Sequence, residues 1–112
     1  MEKKESMAID NKENTHQTVP AVFGRTVSEN RDRVALRTKT LGLWTDITWQ
    51  EYYQTASWIG CALISMGFEK GDKACIIGDN SVEWVFADMG IQGVGGVTVG
   101  IYATNAWQQV EY

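Results

Sequence analysis

The interval at which apolar residues recur changes several times along this chain, and each change marks an element. Val19, Val22, Phe23 and Val27 return at helical spacing behind Thr18, whose hydroxyl suits an N-cap. Pro20 falls in the first turn of that segment, where a missing N–H is no loss. A helix closing at Asn30 is expected. Arg33 to Thr38 then alternates, with Val34 and Leu36 on one face, and Leu43 to Thr48 forms a second extended run. Leu41-Gly42 is the turn between them, so the pair reads as a β-hairpin. Thr48-Trp49-Gln50-Glu51 is a capping box, in which hydroxyl and carboxylate each accept from an orphan N–H. Tyr52, Ala56, Ile59, Leu63 and Met66 make one apolar stripe behind it, and Gly67 ends that helix.

Residues Gly67 to Gly100 carry the next change of period. A glycine turn leads into Ala74, Cys75, Ile76 and Ile77, a short apolar run. Asn80-Ser81-Val82-Glu83 repeats the capping logic before a helix whose buried face is expected to be Val82, Val85, Phe86 and Met89. Gly90 and Gly93 near its end read as small residues that let helix and strand approach closely. After Gly95-Gly96, Val97 to Ile101 is a β-branched strand. Strand, helix and strand at this length form a βαβ unit, which needs a parallel sheet covered by helices. Asn105 with Gln108 opens a last helix, with Trp107 and Val110 on its apolar face, and the chain stops at Tyr112 before that helix ends. The expectation is an α/β fold: a partial N-terminal subdomain with a parallel βαβ unit preceded by a helix and a small β-hairpin. Residues 1–17, polar and aperiodic, are expected to be a disordered arm, and 18–112 the incomplete domain. An unpaired strand edge and uncovered helix faces imply self-association.

Composition narrows the function classes. The chain is 44% hydrophobic and 21% charged, and its five tryptophans imply a sizeable core or a surface meant to be covered. A net charge of −4 without a basic stripe argues against a nucleic-acid partner; Lys3 and Lys4 sit beside Glu2 and Glu5. No run approaches the roughly 18–20 apolar residues of a transmembrane segment. The N-terminus has no secretory apolar stretch and is too acidic for a transit peptide, so the expected location is cytoplasmic, with peripheral membrane association left open. Cys61 and Cys75 form no C-x-x-C pair and are expected to be buried free thiols.

The residues that suggest chemistry each have a structural explanation. A phosphate cradle places its glycines between a strand and a helix, whereas Gly90, Gly93, Gly95 and Gly96 follow a helix and precede a strand. Gly78-Asp79-Asn80-Ser81 has the right polarity, yet its side chains are expected to serve as caps. Asp72 fits a turn, Glu83 a cap, and nothing in the spacing of Asp72, Asp79, Glu83 and Asp88 forces two carboxylates into one cleft. His16, the only histidine, lies in the polar arm, which disfavours a triad or a zinc site. Trp49, Trp58 and Trp84 sit at helix positions suited to core or inter-domain packing. These residues name no reaction, and no catalytic, cofactor-binding or metal residue is assigned.

The order of motifs is more specific than any one of them. Thr48 to Glu51, Gly67 to Asp72, Ile76 to Ser81, Glu83-Trp84, Gly95 to Val99 and Tyr102 to Thr104 together resemble the N-terminal part of AMP-forming acyl-CoA synthetases, within the adenylate-forming enzyme superfamily. The resemblance covers roughly Val19 to Tyr112, and Ile101-Tyr102-Ala103-Thr104 is most similar to the long-chain fatty acid members. It implies a ligase that joins a fatty acid to ATP with Mg2+, forming an acyl-adenylate, and passes the acyl group to coenzyme A. The family's Ser/Thr/Gly-rich loop with its lysine, its ribose-binding aspartate and its C-terminal lysine lie beyond the matched region. The fragment is therefore expected to be inactive and to bind none of these ligands alone. A relative acting on an aryl or amino acid, and a self-contained non-catalytic α/β interaction module, are the alternatives.

Overall fold

Thr18 opens the first helix as the capping rule requires: its Oγ1 accepts from the Ala21 N–H at 3.3 Å. The computed structural model describes residues 17–111, so the expected arm and His16 lie outside the described residues apart from Gln17. The elements are α1 (Val19–Asn30), β1 (Val34–Thr40), β2 (Leu43–Thr48), α2 (Trp49–Ser65), β3 (Lys73–Ile77), α3 (Val82–Gly93), β4 (Val97–Ile101) and α4 (Trp107–Val110). β1 and β2 form an antiparallel pair joined by Leu41-Gly42, and β3 and β4 a parallel pair in register from Lys73↔Val97 to Ile77↔Ile101. The α/β architecture with its hairpin and βαβ unit is as the sequence implies. β1 runs two residues past Thr38 because Lys39 and Thr40 pair with Trp44 and Leu43.

The capping box is complete. The Glu51 N–H donates to Thr48 Oγ1 at 3.2 Å, and the Thr48 N–H donates to Glu51 Oε2 at 2.8 Å. At the other end Gly67 takes φ +91°, a left-handed conformation that L side chains avoid. Between them α2 turns Tyr52 and Ala56 inward. Tyr52 is the hub of an aromatic cluster, with ring centroids 4.7 Å from Phe23 of α1, 6.1 Å from Trp49 and 5.6 Å from Phe86 of α3. Val27 and Ile91 complete the set of buried hydrophobic side chains among the described residues.

α2 and α3 touch through glycines. A Cβ on Gly90 would lie 2.8 Å from Ile59 Cγ2 and 2.9 Å from the Ala56 carbonyl oxygen, and one on Gly60 would lie 2.9 Å from Val94 Cγ1. The close approach expected of Gly90 is thus between helix and helix, not helix and strand. Gly93 has nothing within 4 Å, so the packing role expected of it is not found.

Several burial expectations are corrected. Met66, placed on the apolar stripe, is 82% exposed, because it caps α2 beyond the last helical residue. Cys61 and Cys75 are free thiols but exposed. Cys75 alternates outward with Ile77 onto the uncovered face of the β3–β4 pair, where Val97 and Val99 are exposed as well. Of the tryptophans expected in core or inter-domain packing, Trp49 and Trp84 are half-buried, and Trp58, off the Tyr52–Ala56 stripe, is exposed and so outside the core of the described residues. α4 is capped at Ala106 rather than Asn105, with the Ala106 N–H donating to Gln109 Oε1 at 3.2 Å. Its Trp107 and Val110 are exposed.

Candidate functional site

Open α/β sheets bind ligands in the crevice outside the carboxyl ends of their strands. Here Ile77 and Ile101 end β3 and β4 side by side. The chain then leaves in two directions, through Gly78–Ser81 into α3 and through Tyr102–Thr104 toward α4, and a crevice of about 650 Å³ opens between them. Gly100 and Ile101 of β4 line it together with Asp79 and Asn80 from the first loop and Tyr102 and Thr104 from the second. The Trp84 indole also lines it and packs close to Gly100, where a Cβ would meet Trp84 Cζ2 at 3.2 Å.

Of the four residues Gly78 to Ser81, Ser81 does the capping, its Oγ accepting from the Trp84 N–H at 3.4 Å. Asp79 and Asn80 face the crevice instead of capping α3, and Glu83 sits in the first turn without reaching back. No lysine, arginine or histidine lines the space, and Asp79 places a negative charge in it.

The remaining carboxylates are dispersed. Asp72 stands at the opposite end of β3, where its Oδ2 accepts from the Glu69 N–H and its carbonyl from the Val97 N–H, both at 2.8 Å. Asp88 accepts from Gln92 Nε2 at 2.9 Å on α3. It also faces Tyr52, whose phenol is held above its ordinary value by burial and then by the Asp88 charge. Among the described residues no three metal-ligating side chains meet. No chemical step is placed on the described residues. Tyr102, Thr104, Gly100 and Trp84 were absent from the sequence-based candidates as a group. The signal that finds them is their position at the carboxyl ends of two parallel strands. A second concavity, about 390 Å³ between α1, α2 and α3, is apolar, with Phe23, Tyr53, Cys61 and Met89 among its walls.

The family model for AMP-binding enzymes matches residues 23–112. The chain belongs to that family. Curated relatives within the AMP-binding family include the long-chain-fatty-acid–CoA ligase ACSBG2 of Gallus gallus, 36% identical over 96 residues, which is 86% of this chain and 13% of that protein. The long-chain-fatty-acid–CoA ligase FadD15 of Mycobacterium bovis is 33% identical over 97 residues, 87% of this chain and 16% of its own length. The chain thus spans about one-seventh of the curated relatives it matches. Among solved structures, the N-terminal subdomain of Klebsiella oxytoca NpsA superposes with a TM-score of 0.76 at 23% identity, over 85% of this chain and 24% of that one. The fatty acid AMP ligase of Legionella pneumophila gives 0.74 at 19%, over 85% and 17%. The anthranilate CoA ligase AuaEII gives 0.71 at 24%, over 86% and 18%. The fold is that of the first part of such enzymes.

Proposed function

We propose that this chain is the N-terminal portion of an ATP-dependent, AMP-forming ligase that activates a long-chain fatty acid through its adenylate to the coenzyme A thioester. The observation that carries this is the identity above 30% to long-chain-fatty-acid–CoA ligases along most of the chain, within the match to the AMP-binding family. The reading gives the described residues a scaffold role: aromatic packing around Tyr52, glycine-mediated contact of α2 with α3, and support for the crevice beyond β3 and β4. Chemistry, Mg2+ and coenzyme A belong in this proposal to residues outside 17–111.

Two expected outcomes test it. The purified 112-residue chain shows no fatty-acid-dependent ATP–pyrophosphate exchange, and exchange above background would overturn its inactivity. The polypeptide from the whole reading frame exchanges with long-chain fatty acids at least about tenfold faster than with aryl or amino acids at equal concentration. Preference for an aryl acid would replace the fatty-acid reading with the one to which AuaEII is the structural parallel. The non-catalytic module is disfavoured by the thin core of Val27, Tyr52, Ala56 and Ile91 and by the open face of β3 and β4. From that face we also expect concentration-dependent self-association and hydrophobic-dye binding by the isolated chain. A dye-silent monomer at every concentration in sedimentation velocity would contradict this.

A further inference from the structure

We draw no further inference here: the strongest candidate, the apolar concavity of about 390 Å³ between α1, α2 and α3, carries none, because Tyr53, Cys61 and Ile64 of its walls are exposed in a chain that spans about one-seventh of its relatives' length and nothing in the structure shows what covers them.

Discussion

Tyr52→Ala is expected to abolish cooperative folding of the helical layer. Tyr52 is 6% exposed and touches aromatic rings from α1, from its own helix α2 and from α3. Truncating a large buried aromatic costs about 3–5 kcal/mol, against typical domain stabilities of about 5–15 kcal/mol. With so few other buried side chains, little remains to hold α1 against the α2–α3 pair. Urea denaturation followed by far-UV circular dichroism checks this, and Tyr52→Phe is the control because it keeps the ring. The phenol adds a pH signature. Burial, and then Asp88, raise its folded-state value above the ordinary 10.0, so the folded state retains the proton longer than the unfolded chain. Stability from this group is complete below about pH 10 and declines as pH rises from there through the folded value. The alkaline loss should shrink in Tyr52→Phe, and an unchanged alkaline profile in that variant would exclude Tyr52 as its source.

Gly90→Val carries the second large effect. Its Cβ would approach a backbone oxygen, Ala56 O, to 2.9 Å, and the Ile59 side chain more closely still. A carbonyl inside α2 cannot swing aside as a flexible side chain can, so the two helices must part. Overpacking of this kind costs about 1–3 kcal/mol, and we expect the upper end because the contact lies at the centre of the layer. Gly93→Ala, one turn on with nothing within 4 Å, should be neutral or stabilising by up to about 1 kcal/mol. Equal denaturation midpoints for the two variants would show that α2 and α3 are not in close contact at Gly90.

Local rules were legible in the sequence wherever the determining atoms are a few residues apart. The Thr48–Glu51 box, the left-handed Gly67, the Leu41-Gly42 turn and the span Val97–Ile101 depend on neighbours along the chain. The order of those motifs also carried the family, which the match over residues 23–112 shows. Expectations failed where burial depended on another element. The apolar neighbourhoods of Cys61 and Cys75 do not reveal which helix or sheet face meets a partner, and both residues are exposed.

The crevice shows the division most clearly. Asp79-Asn80 and Tyr102–Thr104 belong to separate stretches of sequence, and no pattern in either shows that the two stand side by side. What brings them together is the in-register parallel pairing of β3 with β4, which sets Ile77 beside Ile101 and so places both following loops at one end of the sheet. Sequence determined each element and most of the ends, because hydrogen bonds and side-chain periodicity act over short stretches of chain. Which surfaces face one another was settled only by tertiary packing, because contact across elements depends on positions that no single stretch encodes.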